Sequence, residues 1–577
     1  MTPAAASADA QPQDLSNLSI EELANLEVRS VSKRAEPLSV APAALYVIDH
    51  DQIVRSGAVT IPEILRLAPN LQVYQASPSR WIVTARGLNG LPFAQSYSNK
   101  LLVLIDGRTV YTPLFSGVYW DMPDLLRDDI ERVEVISGPG ATLWGANAVN
   151  GVINIVTRNA AATKGAYLSA RAGSDQQVVG LRFAGQAGSS VAYRVYGRWQ
   201  RQDAFQLAGG GSAHDDWHRL GGGFRVDWTP GQRDTVTFQG DIFRGRENQP
   251  GSGYERISGH DLVARWTRDY SQNEQLQVQA FYDHSHRGET NSSGSFFVNT
   301  YDVDLQHSIA LGSRNQLVWG GGARLAHYRI DGSPNFYFSP ASRDLFLANL
   351  FVQDEYAFSK LVSVTAGLKA ERDPYAGFTL LPNVRLAITP SYSALIWGAV
   401  SRAVRSPTPF DEDVREFAPG VSLTGNRDFL TEKLTAYELG LRVQPLTDVS
   451  FSATGFYHRY DDLRSVEFGP GPGLNLYWAN KIAGHSYGLE AWANASPLPW
   501  WTLSAGATLL RENFHFQKGA TGKAIDPNQN GVDPKHVFTL RSSMNLGRAV
   551  TFDLDFRSVG IAAKRRRSVW RVRPRGS

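Results

Sequence analysis

From residue 165 onward the chain repeats segments of about ten residues in which apolar and polar side chains alternate, a length typical of transmembrane strands. Residues 361–372 show the pattern most clearly. Their apolar face consists of Val362, Val364, Ala366, Leu368 and Ala370, and their polar face of Ser363, Thr365, Gly367, Lys369 and Glu371. A period of two predicts β-strands, and charge on one face predicts that this face lines a polar lumen.

Short and long connections alternate between these segments. Tight turns are predicted near residues 188–190, 229–233, 271–273, 312–315, 359–361, 390–392, 446–448 and 496–499. Longer loops are predicted over 203–215, 246–258, 288–299, 331–342, 404–430, 464–473 and 514–534. This arrangement is typical of an outer-membrane barrel with periplasmic turns and extracellular loops. Beside the short turns lie the residues of a predicted interfacial girdle, Trp228, Tyr270, Phe358, Tyr392 and Trp500.

The first 160 residues follow a different pattern, with short helices and strands separated by glycine-rich turns. Capping boxes at Ser19–Glu22 and Thr60–Glu63 predict two helices, the second ending before Pro69 and including Leu65 and Leu67. Short strands are predicted at Leu45–Ile48, Leu101–Ile105, Val133–Ile136 and Val152–Val156. The amino-terminal part is therefore predicted to be a small α+β globule.

Composition excludes several classes of protein. The mean hydropathy is −0.27, and the longest apolar stretch, Leu101–Ile105, is far short of the ~20 residues of a membrane helix. The formal net charge of +3 depends on residues 561–577, whose seven cations have no acidic partner, and without them it is −4. A body-wide nucleic-acid surface is therefore not expected. The absence of cysteine excludes disulfides and thiolate metal sites.

No group of residues in the sequence has the spacing and context of an enzyme active site. Gly484–Gly488 has the spacing of a nucleophile elbow, but a strand pattern follows where that motif needs a helix. His284 and His286 share a strand face, and without a third ligand we interpret them as polar residues of the lumen. Gly138, Gly140 and Gly145 miss the spacing of phosphate-binding loops. We expect no catalytic residues, no cofactor and no resident metal.

Two stretches carry a specific family resemblance. Residues 100–121 are KLLVLIDGRTVYTPLFSGVYWD and residues 131–157 are ERVEVISGPGATLWGANAVNGVINIVT, with Ala85-Arg86-Gly87 before them. In this order they closely resemble the plug domain of TonB-dependent outer-membrane receptors of the siderophore and cobalamin type. The resemblance implies a transmembrane β-barrel of about 22 strands with an N-terminal α+β plug domain inside the lumen.

The resemblance also divides the chain. Residues 1–35 are expected to hold the segment that contacts TonB, 36–160 the plug and 165–560 the barrel. If short turns and long loops are to alternate throughout, residues 474–495 must form one long strand that bends near Gly484. About nineteen strands can then be counted, fewer than the 22 or so of the family. Residues 561–577 are interpreted as an anomalous basic tail, from a truncated or shifted reading frame. The first ten residues lack the basic start and apolar core of a signal peptide.

The resemblance implies active import rather than catalysis. Because the outer membrane maintains no ion gradient, work must come from TonB and its inner-membrane energising complex. TonB is recruited by strand addition to an extended segment, and the candidate is Leu26, Glu27, Val28, Arg29, Ser30, Val31 and Ser32, with an ordinary linker as the alternative.

A ferric siderophore is the first expected cargo, and cobalamin, haem or a glycan are alternatives. We expect a monomer in outer-membrane lipid, without nucleic acid. A passive porin and a non-functional truncated receptor are the remaining alternatives.

Cargo residues are expected where the plug apices meet the long loops. Carried over from the family pattern, the candidates are Phe93, Tyr97, Tyr111, Phe115, Tyr119, Trp120 and Trp144, with Arg405 and Arg415 in the largest loop for an anionic cargo. Packing inside the plug is the alternative for each of them.

The family also holds its plug with arginines that face two barrel glutamates. Arg86, Glu438 and Glu490 match that pattern, whereas Ser137 stands where a second arginine is usual. The resemblance therefore implies a looser plug, or a substitute cation such as Arg132.

Overall fold

The computed structural model describes residues 22, 26–88, 98–250, 253–289, 294–522, 533–547 and 550–560, and the backbone of 569–574. The described chain consists of a small mixed domain, residues 26–163, enclosed by a large antiparallel sheet. The first predicted capping box, Ser19–Glu22, lies outside the described residues except for Glu22. No helix in the described residues is long and apolar enough to cross a membrane.

The inner domain, the plug, contains short strands and helices. Its described strands are β1 (Glu27–Val28), β2 (Glu36–Pro37), β3 (Ala44–Asp49), β4 (Gln72–Gln75), β5 (Trp81–Thr84), β6 (Leu101–Ile105), β7 (Arg108–Thr109), β8 (Ile130–Ser137) and β9 (Gly151–Thr157). Its described helices are α1 (His50–Arg55), α2 (Ile61–Leu65) and α3 (Ala141–Trp144). The four predicted strands are confirmed as β3, β6, β8 and β9.

Helix α2 forms where the capping box predicts it. The Thr60 side chain accepts a hydrogen bond from Glu63 N, and the Glu63 carboxylate reaches back to Thr60 N. The helix ends at Leu65 rather than after Leu67, so the prediction was one half-turn too long. A five-stranded sheet in the order β3-β8-β9-β6-β7 crosses the plug, with only β6 and β9 parallel. The sheet lies in the core of the plug, since every residue of β6 and β9 except Val156 is buried.

The enclosing sheet begins directly after the plug. Its first strands are β10 (Gly165–Ala172), β11 (Gln176–Ala187), β12 (Val191–Gln202), β13 (Trp217–Trp228), β14 (Asp234–Asn248), β15 (Tyr254–Ser271), β16 (Glu274–Glu289), β17 (Ser295–Leu311), β18 (Asn315–Asp331), β19 (Phe336–Phe338), β20 (Ser342–Ala357), β21 (Val362–Asp373) and β22 (Gly377–Ser391). Each strand that crosses the wall is antiparallel to the next one.

The sheet continues to the end of the described chain. Its later strands are β23 (Ala394–Arg405), β24 (Val414–Ala418), β25 (Val421–Thr424), β26 (Glu432–Leu446), β27 (Val449–Phe468), β28 (Leu474–Leu498), β29 (Trp501–Phe516), β30 (His536–Leu546), β31 (Val550–Val559) and β32 (Val569–Pro574). Helix α4 (Pro409–Glu412) and strands β19, β24 and β25 belong to the long loops, so the described wall has twenty strands. Strand β10 is paired with β11, and β32 with β31.

Two predictions about the wall have different outcomes. The long strand expected over 474–495 is confirmed as β28, and its partner β27 has irregular register opposite Gly484 and Ile482. Residues 561–577 were interpreted as an anomalous basic tail. Within this range the backbone of Val569–Pro574 forms β32 and pairs with β31, and the interpretation of the tail stays a prediction.

Side-chain parity separates the two faces of the wall. In β21, Lys369 and Glu371 are buried against the plug, where Lys369 Nζ donates to Leu143 O and Glu371 accepts from Ala146 N. Leu368, directly before Lys369 in sequence, is exposed on the opposite face. The lumen assignment of the polar face is thereby confirmed. All five predicted girdle aromatics are exposed beside the short turns.

Candidate functional site

A cavity opens on the extracellular side of the plug, and we call it the vestibule. It has a volume of roughly 400 Å³. Its plug side includes Trp81, Phe115, Tyr119 and Trp120, and its barrel and loop side includes Phe296, Phe336, Phe338 and Phe410. Cavities of this size with a predominantly aromatic lining and a few polar groups are typical of small-molecule sites. The vestibule is therefore the candidate cargo site.

Tyr119 is fixed at the centre of this lining. Its ring stacks on Phe296 with centroids 5.5 Å apart, and it meets Phe115 edge to face at 5.0 Å. The Arg287 guanidinium lies 4.6 Å from the Tyr119 ring centroid. Because the plug and the barrel both contribute side chains to this stack, a molecule bound against Tyr119 contacts both domains at once.

The charges of the vestibule are already paired. Arg287 forms ion pairs with Asp121 and Glu255, and a longer one of 3.5 Å with Glu247. Arg80 lies 3.5 Å from Glu255. With Glu416 also in the lining, three lining carboxylates face two cations. Burial of an unmatched polyanion would be costly here, so the lining favours a neutral or cationic molecule.

A second ion-pair network ties the plug to the largest loop. Lys100 Nζ lies 2.6 Å from Glu432 Oε2, and Glu432 also pairs with Arg405. Arg405 Nη1 lies 2.7 Å from Asp411 Oδ2 in α4. Burial lowers the pKa of Lys100 to about 8, against the raising effect of Glu432. The network fixes Lys100 of the plug, α4 and the start of β26 relative to one another.

The predicted cargo residues separate into distinct environments. Phe115, Tyr119 and Trp120 line the vestibule. Tyr111 is instead at the plug–barrel contact, where its hydroxyl accepts from Arg324 Nη1 at 3.0 Å. Arg405 is completely buried in the network described above, so it does not face the vestibule.

The remaining predicted cargo residues are Arg415, Phe93, Tyr97 and Trp144. Arg415 lies in β24 and donates to the carbonyl of Val414 at 2.7 Å. Phe93 and Tyr97 lie outside the described residues. Trp144 was placed at an extracellular apex by the family pattern, and the structure corrects this. It packs near Val28 and Val31 toward the periplasmic end, because α3 turns the ring away from the vestibule.

The candidate TonB segment is packed into the plug. Glu27–Val28 pairs with Glu36–Pro37, and Val28 and Val31 are buried. Ser30 donates from N to Glu134 Oε2 at 3.1 Å, and its carbonyl accepts from Trp144 Nε1 at 2.9 Å. Arg29 reaches Gln275, next to a short turn of the wall. The segment therefore lies at the periplasmic end, opposite the vestibule.

The three residues expected to hold the plug meet in the structure. Arg86 Nη1 lies 2.7 Å from Glu438 Oε1, and Nη2 lies 3.0 Å from Glu490 Oε2. His458 Nε2 is 3.0 Å from the same Nη1. Burial alone would lower the pKa of Arg86, but Glu490 and Glu438 raise it above its ordinary value. Arg86 itself has a φ of +55°, a left-handed backbone that is strained for this residue.

Compensation for the missing arginine does not come from Arg132. That side chain pairs with Glu131 and Glu134 within the plug. The Ser137 side chain hydrogen-bonds to Glu490, and Arg385 of the barrel interacts electrostatically with Glu438. The adjacent Gly138 has a φ of +94°, and a Cβ there would stand 2.4 Å from Glu438 Oε1. Close approach to the carboxylate therefore requires glycine at 138.

Several vestibule residues were not predicted from the sequence. They are Arg80, Trp81, Asp121, Glu255, Arg287, Phe296, Phe336, Phe338, Phe410 and Glu416. A usable signal existed for Asp121, which follows Trp120 in the family motif, and for the aromatic runs Phe296-Phe297 and Phe336–Phe338 in or beside long loops. The other positions are brought together only by barrel registration.

The structure also shows the residues that were considered from the sequence as an enzyme motif or a metal site. Gly484–Gly488 lies inside strand β28, so its serine is not on a strand-to-helix turn. His284 and His286 were expected in the lumen, and this is wrong. Asp283, directly before His284, faces the plug and pairs with Arg108. Successive side chains of a strand point to opposite faces, so both imidazoles point outward. Among the described residues, no group of three or more His, Asp or Glu side chains is arranged to hold a metal.

Comparisons with known proteins agree with this architecture. The vitamin B12 transporter BtuB of Vibrio vulnificus is 31% identical over 151 residues, 26% of this chain and 23% of that protein. The iron-regulated outer membrane virulence protein of Vibrio cholerae is 22% identical over 459 residues, 74% of this chain and 67% of that protein. The chain thus spans 23% and 67% of the lengths of these two relatives.

The fold and both domains are matched as well. A crystal structure of the ferric enterobactin receptor PfeA from Pseudomonas aeruginosa superposes with a TM-score of 0.74 at 15% identity, covering 90% of this chain and 86% of that one. The TonB-dependent receptor plug domain model matches residues 37–152, and the TonB-dependent receptor-like β-barrel model matches residues 156–571. The chain belongs to the TonB-dependent receptor family of outer-membrane proteins, which are receptors and transporters rather than enzymes.

Proposed function

We propose that this protein imports a scarce nutrient complex, a ferric siderophore, across the outer membrane with energy supplied through TonB. One observation carries the proposal: the vestibule and the segment Leu26–Ser32 lie at opposite ends of a plug that fills the barrel. Cargo and TonB therefore contact the same domain from opposite sides. The passive-porin alternative is disfavoured because the lumen residues of the wall, such as Lys369, are buried against the plug.

The lining of the vestibule favours some chemical classes of cargo over others. Tyr119, Phe115 and Phe296 offer flat apolar contact, and every lining cation already pairs with a carboxylate in the described residues. A neutral ferric chelate, such as a hydroxamate, fits these features better than a trianionic tris-catecholate. Cobalamin is the runner-up, since a BtuB protein is among the relatives and a macrocycle can also stack on aromatic rings. Haem and glycans are further alternatives.

The experiment is transport by cells that lack their other siderophore receptors. Cells expressing this protein are grown under iron limitation and supplied with ⁵⁵Fe-loaded ferrichrome, a neutral hydroxamate, or with ⁵⁷Co-labelled cyanocobalamin. The proposal expects ferrichrome uptake that disappears in a tonB deletion strain. Uptake that persists without TonB supports a porin, TonB-dependent uptake of cyanocobalamin alone supports the runner-up, and absence of uptake of both labels contradicts the proposed cargo class.

The TonB segment is tested by a matched pair of variants. Val28→Pro removes a backbone donor and prevents strand addition, whereas Val28→Ala keeps the backbone intact. Uptake is expected to be lost in Val28→Pro and largely retained in Val28→Ala, with chelate binding to intact cells unchanged in both. Equal uptake by the two variants would assign TonB contact to another segment.

A further inference from the structure

Three oxygen-bearing side chains meet near the vestibule, and each comes from a different element. Tyr328 lies near the extracellular end of β18, Tyr375 in the turn between β21 and β22, and Asp413 directly after α4. Asp413 Oδ2 accepts hydrogen bonds from both phenol hydroxyls, at 3.3 Å from Tyr328 Oη and 3.0 Å from Tyr375 Oη. The two hydroxyls are also within hydrogen-bonding reach of each other. We call these three side chains the oxygen triangle.

The oxygen triangle is supported by the elements that form the vestibule. The α4 segment contributes Phe410 to the vestibule lining and Asp413 to the triangle. The Asp413 carbonyl accepts a hydrogen bond from Ser339 N at 2.9 Å, directly after β19. Tyr328 and Asp413 are buried, whereas Tyr375 is partly exposed. The triangle is therefore a fixed site whose open side lies at Tyr375.

The spacing of the three oxygens suits a small, hard cation. A cation that binds oxygen at about 2.0–2.1 Å has neighbouring donor oxygens roughly 2.8–3.0 Å apart in an octahedral shell. The separations of 3.0 and 3.3 Å from Asp413 Oδ2 are close to this value. A cation can therefore replace the protons of the two hydroxyls after small side-chain movements, with the three oxygens on one face of its octahedron.

The types of donor favour ferric ion over other hard cations. Phenolate and carboxylate oxygens are hard anionic donors, and iron binds both in proteins. Ca²⁺ and Mg²⁺ are too weakly acidic to displace a phenol proton at neutral pH, whereas ferric ion is acidic enough to do so. Glu412 interacts electrostatically with Asp413 and Asp373, so further negative charge surrounds the site and favours a highly charged cation.

Arg343 offers a position for a second ligand of the iron. Its guanidinium lies 4.5 Å from the centroid of the Tyr375 ring, and its Nη1 lies 3.9 Å from Asp413 Oδ2. Because this side chain is partly exposed, its remaining donors can bind the carboxylate oxygens of a small chelator. Such a chelator would fill the coordination positions of the cation that the protein leaves open.

We propose that Tyr328, Tyr375 and Asp413 bind ferric ion directly, together with a small carboxylate chelator held by Arg343. On binding, each phenol hydroxyl loses its proton to water and its oxygen forms a bond to iron, while the oxidation state of the iron does not change. The ion is cargo rather than a resident cofactor, and it reaches this site outside a siderophore. The oxygen triangle is thus a second iron site, separate from the vestibule lining and independent of siderophore uptake.

The experiment titrates ferric nitrilotriacetate into the full-length receptor in detergent at neutral pH. Phenolate bound to ferric iron absorbs visible light by charge transfer, so absorbance follows the binding. Tyr328→Phe/Tyr375→Phe removes both phenol donors and keeps their rings. Tyr196→Phe is the matched control, because it removes the same hydroxyl from a single tyrosine–aspartate pair, in which Tyr196 donates to Asp241 at 2.6 Å. Heat-modifiable migration on gels verifies that the variants are folded.

We expect the parent and Tyr196→Phe to develop the visible band with one iron per receptor, and the double variant to bind iron at least ten-fold more weakly. If the double variant does not fold, Tyr375→Phe replaces it, with an expected loss of at least three-fold. Absence of the band in the parent, or an equal band in the double variant, overturns the proposal. Displacement of the iron by millimolar Ca²⁺ would also overturn it, since the site would then be one for divalent cations. Neither TonB nor a siderophore is present, so failure of ferrichrome uptake in cells leaves these outcomes unaffected.

Discussion

The Arg86 guanidinium donates to the Glu490 carboxylate through two nitrogens, Nε at 3.3 Å and Nη2 at 3.0 Å, across the plug–barrel contact. Both side chains are completely buried. A charge pair of this kind contributes little over an apolar pair, but loss of one partner leaves an unpaired buried charge. The stability of plug seating is therefore sensitive to this one cation.

Arg86→Ala is expected to lower the free energy of plug unfolding by about 3–5 kcal/mol, because buried Glu490 would lose its cation and Glu438 would keep only its interaction with Arg385. Urea unfolding in detergent, followed by tryptophan fluorescence, measures the change. The same variant is expected to open larger conductances in planar bilayers.

Arg132→Gln is the matched control for this prediction, since Arg132 is also a buried plug arginine paired with two carboxylates, but both are in the plug. It is expected to leave bilayer conductance closed. Unchanged unfolding and unchanged pore closure in Arg86→Ala would count against a role of this residue in holding the plug.

Trp144→Phe is expected to release the candidate TonB segment. The change removes the indole donor to Ser30 O, one hydrogen bond that contributes about 0.5–1.5 kcal/mol. The affinity of the cargo-free receptor for the periplasmic domain of TonB should rise about two- to ten-fold, measured by calorimetry. Trp81→Phe, a plug substitution at the vestibule side, should leave this affinity unchanged. A rise in both variants would indicate general loosening of the plug.

Lys100 gives a pH-dependent prediction. Its folded pKa of about 8 lies below the value of 10.5 for an exposed lysine, so between these values the unfolded state binds more protons. The contribution of Lys100 to stability therefore rises with pH in this window, by up to about 1.4 kcal/mol per pH unit.

Lys100→Met removes the titrating group, while Glu432 keeps its pairing with Arg405. The difference in unfolding free energy between the parent and Lys100→Met should be flat below pH 7 and should shift in favour of the parent from pH 8 to 10. A difference that is constant across this range would mean that Lys100 titrates normally.

The charged residues that line the vestibule predict that the receptor selects ferric chelates by their net charge. Ferrichrome is expected to bind more tightly than ferric enterobactin, and Tyr119→Ala should weaken ferrichrome binding at least ten-fold by removing the central stacked ring. Glu416→Gln should strengthen binding of the anionic chelate about five-fold at low salt, with little effect at high salt. Fluorescence quenching measures both. Tighter binding of ferric enterobactin by the parent protein would contradict the charge argument, whereas absence of binding by either chelate would contradict the proposed cargo class.

The sequence predicted local structure and strand parity well, because both depend on near neighbours. Leu101–Ile105 has the predicted bounds, and Lys369 and Glu371 lie on the predicted face. The errors concern long-range placement. Trp144 belongs to the periplasmic side because of contacts with residues more than a hundred positions away. His284 and His286 were assigned to the lumen from polarity alone, yet the headgroup level of the outer face also accepts polar side chains.

The candidate cargo site could be predicted only in part for the same reason. Phe115, Tyr119 and Trp120 lie in one family motif and arrive together on one plug loop. Arg287 and Phe338 reach the vestibule from separate barrel strands, and no spacing along the chain records which strands stand beside which plug loop.

The length of β28 has a consequence for access to the receptor. Its 25 residues correspond to a contour of roughly 80 Å, while the 12 residues of β21 correspond to roughly 40 Å. The extracellular rim of the barrel is therefore uneven, with a high wall at β28 and a low wall at β21. A solute that diffuses over the cell surface enters across the low wall, and a bulky particle such as an antibody meets the high wall first.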